Sequence, residues 1–202
     1  MIRTLSIAVG ALILNSGLGL AEVQVGKQVP DFSLADTNGK THHLSDYKGK
    51  FIVLEWYNPD CPFVRKHYNS GNMQALQKEY VARGVVWLSI NSSASGEQGN
   101  YPATELNQIA LKTGSGRTAL LLDPDGKVGH LFGAKTTPDM YIINPQGALV
   151  YEGAIDDKPS TELADIKTAK NYVKFALDAA MSGKTVALTS TRPYGCSVKY
   201  AQ

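Results

Sequence analysis

Apolar residues are spaced along this chain in two ways. Short, mostly apolar runs at residues 51–56, 85–90 and 119–122, interrupted only by Glu55 and Ser89, have the length of strands covered on both faces. Between them the spacing widens to the helical period. A first helix is predicted over 61–68 and broken at 69–72. A second, over 73–83, carries Met73, Leu76, Tyr80 and Val81 on one face. A third helix is predicted over 104–112, closed by Gly114. Residues 140–143 and 148–151 flank Asn-Pro-Gln-Gly and predict a hairpin, and a smaller one is predicted around the Asn-Gly pair near residues 31–41. Leu163, Ile166, Val173, Ala176, Leu177 and Ala180 mark one closing amphipathic helix. Strands alternating with helices, then a strand pair and a last helix, predict an α/β fold. Its central mixed sheet is flanked by helices, parallel first and antiparallel at one edge. The polar, glycine-containing stretch 92–101 is long enough to serve as a lid or substrate loop.

The two ends of the chain stand apart from this pattern. Arg3, an apolar stretch over 5–14 and Gly19-Leu20-Ala21 have the form of a secretory signal over 1–21, too short to span a bilayer. The expectation is a protein that starts at Glu22, periplasmic or secreted, with no membrane insertion after signal removal. About 180 residues remain, enough for one domain with a sizeable core. That domain is predicted over 22–182, followed by a tail over 183–202 that lacks helical periodicity, carries Cys196 and must be tied down by something. With 20 basic and 18 acidic residues and no basic stripe, the composition argues against nucleic acid as a partner. Walker loops, Ser-His-Asp arrangements and zinc motifs lack support, and the reading calls for no cofactor and no metal.

The chemistry concentrates where the first strand run ends. Phe51-Ile-Val-Leu-Glu-Trp-Tyr-Asn-Pro-Asp leads into Cys61, followed at once by Pro62. Proline is favoured just inside a helix, because its missing N–H is one the helix leaves unpaired. Cys61 is therefore expected at the N-cap or first position, facing unpaired amides and the positive dipole end, an environment that favours the reactive thiolate. The competing reading is a buried cysteine acting as a small hydrophobe. Arg65, one turn on, is the candidate charge partner, against a solvated helix charge. Glu55 is either a buried acid able to shuttle a proton or an ordinary ion-pair partner. His67 is expected on the surface of the first helix.

The order of elements, with Cys61 after the first central strand, resembles the thioredoxin-like fold. Glu55 stands six positions before the cysteine, where thioredoxins carry a buried acid that helps move protons, and Trp56-Tyr57 match the following aromatic pair. Thr137-Pro138 looks like that family's cis-proline loop, which faces the cysteine and offers backbone groups to a bound substrate. More narrowly, Asn-Pro-Asp-Cys-Pro-Phe-Val, Lys-Thr-Thr-Pro-Asp139, Gly-Ala-Ile-Asp-Asp157 and Gly-Cys-Ser-Val-Lys-Tyr200 resemble peroxiredoxin-like redoxin-domain proteins, relatives of the alkyl hydroperoxide reductase and thiol-specific antioxidant family. The resemblance implies a thiol oxidoreductase with antioxidant, peroxidase-like activity. Cys61 is then the nucleophile, Asn58, Pro62, Thr137 and Pro138 contact the substrate, Glu55 assists proton transfer and Arg65 supports the thiolate. The implied partners are a peroxide or disulfide substrate and a protein dithiol reductant.

Two departures from the family patterns leave alternatives open. Val64 stands where a Cys-x-x-Cys motif has its second cysteine, and Asn58 and Leu54 stand where peroxiredoxins carry threonine and proline. Thiol–disulfide exchange with protein substrates is therefore the alternative activity, and a non-catalytic binding module the alternative class. Cys61 and Cys196 admit three readings. Cys196 resolves a sulfenic acid formed on Cys61; the two form a permanent staple, worth roughly 4–5 kcal/mol for so long a loop; or they lie apart and Cys61 is resolved by an external thiol.

Overall fold

The computed structural model describes residues 22–201, so the predicted signal segment lies outside the described residues. In chain order the elements begin with β1 (Ser33–Ala35), β2 (Thr41–His43), β3 (Ile52–Trp56), α1 (Pro62–Asn69), α2 (Asn72–Ala82), β4 (Val86–Asn91) and α3 (Ala103–Thr113). They continue with β5 (Ala119–Leu122), α4 (Lys127–Phe132), β6 (Thr136–Thr137), β7 (Asp139–Ile143), β8 (Leu149–Gly153), α5 (Tyr172–Met181) and β9 (Cys196–Ser197). The central sheet runs β5-β4-β3-β7-β8. Its first three strands are parallel and the last two antiparallel, as the order of apolar runs predicts.

All five residues of β3, the middle strand, are buried, because helices cover both faces of the sheet. Ile52, Leu54 and Trp56 face one side, with Val86, Leu88 and Ile90 of β4 and Val128 and Phe132 of α4. Val53 and Tyr57 face the other, with Trp87, with Val64 and Tyr68 of α1, Met73, Leu76 and Tyr80 of α2, and Val173 and Leu177 of α5. This alternation sends Glu55 into the second layer and delivers the chain, at the strand's end, to Cys61 between sheet and helix.

Three details depart from the sequence pattern. The closing helix is two pieces: Leu163–Thr168 is a 3₁₀ segment, and α5 begins only at Tyr172. Leu163 is correspondingly exposed rather than part of the buried stripe. α4 was not anticipated, since Gly126, Gly129 and Gly133 punctuate it and its six residues are too few to display a helical period. The tail is held by backbone bonds. The Glu152 amide donates to Thr189 and the Thr191 amide returns the bond to Glu152, both at 3.0 Å. Further on, the Val198 amide donates to Lys135 at 3.1 Å, and the Tyr200 hydroxyl donates to the Ala134 carbonyl at 2.8 Å.

Candidate active site

Cys61 is the N-cap of α1 and Pro62 its first helical residue, as proline's fixed φ and missing N–H favour. The sulfur, however, makes no capping bond to the helix. It donates to the Thr137 carbonyl at 2.9 Å. Thr137 and Pro138 are joined by a cis peptide bond, so the predicted cis-proline loop faces the cysteine. The Thr137 hydroxyl is buried without a hydrogen-bond partner, which leaves it free to serve a ligand beside the sulfur.

Cys196 is brought to the same place from the far end of the sequence. β9 pairs antiparallel with β6, setting Cys196 opposite Thr137 and Ser197 opposite Thr136. Burial, followed by the neighbouring Cys61 sulfur, pushes the Cys196 thiol up to about 12. Both cysteines are free thiols here. The reading in which they lie apart is overturned by the β6–β9 pairing and by the contact of the two sulfurs. The pairing requires Gly195, whose φ is +150°. A Cβ there would come within 2.1 Å of the Thr137 carbonyl oxygen.

Cys61 itself has 0% exposed surface. It packs into the core layer beside Tyr57 and Val64, with Cys196 and the Thr137 carbonyl closing the remaining side. The other predicted site residues are placed around this pair, but several are committed elsewhere. Arg65 donates to the Pro59 carbonyl at 2.8 Å and to the Asp60 carboxylate at 2.7 Å, with its side chain 55% exposed. It braces the turn before Cys61 instead of contacting the thiol. Asn58 accepts from the Asp60 amide at 2.9 Å and donates to the Gln98 carbonyl at 3.1 Å. Both ends of its amide are thus used in fixing the turn and the 92–101 loop. Glu55 is fully buried and accepts from Tyr68 at 2.9 Å, Gln77 at 3.1 Å, Trp87 at 2.8 Å and Ser89 at 2.8 Å. Those bonds tie β3 to α1, α2 and β4.

The 92–101 loop forms the wall beside the turn. The Tyr101 hydroxyl donates to Asp60 at 2.7 Å, Asn91 donates to the Gly99 carbonyl at 2.8 Å, and the Ala94 amide donates to Lys199 of the tail at 2.8 Å.

His67, expected at the surface, has 0% exposure. Burial, and secondarily the Lys66 ammonium, lower its pKa to about 3, so the ring is neutral. Asn72 donates to Nδ1 at 2.9 Å, which leaves the proton on Nε2, 3.3 Å from the Tyr194 hydroxyl. Tyr194 in turn donates to Asp156 at 2.5 Å. Lys66, also buried, donates to the Lys158 carbonyl at 2.7 Å. Sequence reasoning missed this group. The one available signal was the spacing Val64, His67, Tyr68, which continues the apolar face of α1.

Residues 25–152, well over half of the chain, match the family model described as AhpC/TSA family, and the chain belongs to that family. It is similar to the thiol-disulfide oxidoreductase ResA of Bacillus subtilis, at 28% identity over 148 residues, 71% of this chain and 75% of that protein. Its structure resembles a hypothetical protein of Sinorhizobium meliloti, with a TM-score of 0.75 and 24% identity, over 90% of this chain and 97% of that one. It also resembles a putative thioredoxin from Neisseria meningitidis, with a TM-score of 0.54 and 19% identity, over 76% and 92%. The fold is thioredoxin-like.

Proposed function

We propose that this AhpC/TSA-family chain is an exported thiol–disulfide oxidoreductase whose redox pair is Cys61 and Cys196. The observation that carries the reading is the β6–β9 pairing. It sets Cys196 opposite the residue whose carbonyl takes the Cys61 thiol hydrogen. Two cysteines distant in sequence thereby replace the adjacent pair that Val64 makes impossible. The similarity to a thiol-disulfide oxidoreductase supports the same class of reaction. The leader-like residues 1–21 support export, to a compartment where such pairs are used.

The reaction divides between the two sulfurs. Cys61, having given up its proton, attacks one sulfur of a substrate disulfide. A Cys61–substrate mixed disulfide forms, and the other substrate sulfur leaves as a thiolate that takes up a proton. Cys196, which burial and the Cys61 sulfur hold as a thiol, then loses its proton and attacks the Cys61 sulfur. The Cys61–Cys196 disulfide forms and the second substrate thiol departs. The pair has given two electrons and two protons, and a protein dithiol restores it by the reverse exchange. Substrate approaches past the cis-proline loop, where the unpartnered Thr137 hydroxyl offers a hydrogen bond.

Disulfide exchange is favoured over peroxide reduction because the groups that would serve a peroxide are engaged. Asn58 spends its amide on Asp60 and Gln98, and Arg65 is held by Pro59 and Asp60. The test compares turnover of a small aromatic disulfide with turnover of hydrogen peroxide, in the wild type and in Cys196→Ser. The wild type should reduce the disulfide much faster than the peroxide, and Cys196→Ser should stall as a mixed disulfide on Cys61. Faster peroxide turnover, or full turnover by Cys196→Ser, would refute the assignment.

A further inference from the structure

The proposed reaction needs a sulfur that is completely covered. It sits in the core layer with Tyr57 and Val64, and the tail closes it on the side where Cys196 packs against that layer, although β9 supplies only two residues of ladder pairing to β6. Short edge pairings of this kind do not hold without help. Thr191 and Tyr200 anchor the tail on either side, and Tyr194, two residues before Cys196, is the side-chain anchor next to the cysteine. Its hydroxyl donates to Asp156 at 2.5 Å and faces the Nε2 of neutral His67 at 3.3 Å, while its ring packs edge-on against Phe63 at 5.8 Å. Asp156 and His67 are both buried, and Asp156 also accepts from the Lys158 amide at 2.9 Å. The anchor is therefore rigid on the protein side. The anchor borders an open cavity of about 640 Å³ lined by Asp156 and Tyr194 themselves with Thr136, Tyr172, Arg192 and Gly195, so the segment is not fully packed around it.

We propose that Tyr194 is a latch: locked by Asp156 and His67, it holds the tail over the cis-proline edge, positions Cys196 against Cys61 and shuts Cys61 off from outside. Releasing Tyr194 lets residues 194–200 lift and exposes both the sulfur and the β6 edge to an incoming substrate. Tyr194 acts through Cys196 and the tail and touches no reacting atom, so it is a positioning residue. The inference rests on the disulfide-exchange reading only for the role of Cys196; the shielding of Cys61 is testable without it.

The test is alkylation of the reduced full-length chain by iodoacetamide, with modification of the Cys61 and Cys196 peptides followed separately by mass spectrometry. In the wild type Cys61 should react far more slowly than a free cysteine. Tyr194→Phe removes the part-buried hydroxyl bond to the Asp156 carboxylate and should speed Cys61 modification roughly ten- to a hundredfold. Asp156→Ala should do the same, whereas Asp156→Asn, which keeps an acceptor for Tyr194, should stay near the wild-type rate. Tyr80→Phe, which loses its bond to Asp178 on α5, is the control for general loosening and should leave Cys61 protected. Should Tyr194→Phe not fold, Tyr200→Phe tests the tail's anchor beyond Cys196 and should accelerate modification in the same direction. A Cys61 that reacts like a free thiol in the wild type would overturn the proposal. So would Tyr194→Phe left at the wild-type rate, or Tyr80→Phe matching its acceleration. Failure of the disulfide to form, with protection and its loss as described, would instead count against the exchange reading alone.

Discussion

Gly195→Ala is the sharpest perturbation of the geometry that brings the cysteines together. The residue has φ +150°, and an added Cβ would meet the Thr137 carbonyl oxygen at 2.1 Å and its carbon at 2.7 Å, both backbone atoms. Backbone of that kind costs a non-glycine residue about 1–3 kcal/mol. Overlap with a rigid neighbour adds about 1–3 kcal/mol more. Thr137 cannot retreat easily, since β7 of the central sheet begins two residues on and the Cys61 thiol donates to its carbonyl. The chain therefore relieves the clash by undocking β9. At the lower bound of about 2 kcal/mol, the equilibrium constant for closing a Cys61–Cys196 disulfide falls about thirtyfold. The assay is equilibration with mixtures of reduced and oxidised glutathione, quenched with acid and read as the fraction of linked Cys61–Cys196 peptide. The sheet and both core layers do not involve Gly195, so thermal unfolding should shift by only a few degrees. A disulfide equilibrium within about twofold of wild type would refute the reasoning that β9 pairing sets the pair's geometry.

Two further outcomes follow from buried carboxyls. Glu55→Leu strands the buried donors of Trp87, Gln77, Ser89 and Tyr68 and should cost about 3 kcal/mol in urea unfolding, while a loss below about 1 kcal/mol would count against its role as the tie between layers. Burial raises the pKa of Asp139, which follows the cis-proline, from 3.8 to about 7. The folded chain thus holds that proton over a range where the unfolded chain has released it. Its contribution to stability is present below about pH 4 and is lost as pH rises to about 7, on the order of a few kcal/mol. The difference in unfolding free energy between wild type and Asp139→Asn should therefore move against the wild type from pH 5 to 8, and a difference independent of pH would contradict the buried, protonated carboxyl.

The parts of this protein that were legible in its sequence are the local ones. The run into Cys61, the proline after it and the apolar face of α2 depend on residues a few positions apart, and the structure places them as their spacing implies. β6 and β9 have two residues each and join positions about sixty apart, so no periodicity could announce them. The site is built from that pairing, which is why the meeting of Cys61 with Cys196 stayed one reading among three. Buried polar residues were hidden for a different reason. His67, Lys66 and Gln77 lie on the inward faces of α1 and α2, where position points inward but residue type argues for solvent. Their partners, Tyr194, Lys158 and Glu55 respectively, come from other elements. Arg65 and Asn58 flank the cysteine in sequence, and the turn itself and the 92–101 loop consume their hydrogen bonds.

The most direct test of the account is to treat the reduced chain with one equivalent of oxidised glutathione and map the product by intact mass and peptide analysis. The account predicts loss of two hydrogens, release of two reduced glutathione molecules and a single cross-linked peptide joining Cys61 to Cys196. A stable glutathione adduct on Cys61 beside an untouched Cys196 thiol would contradict it.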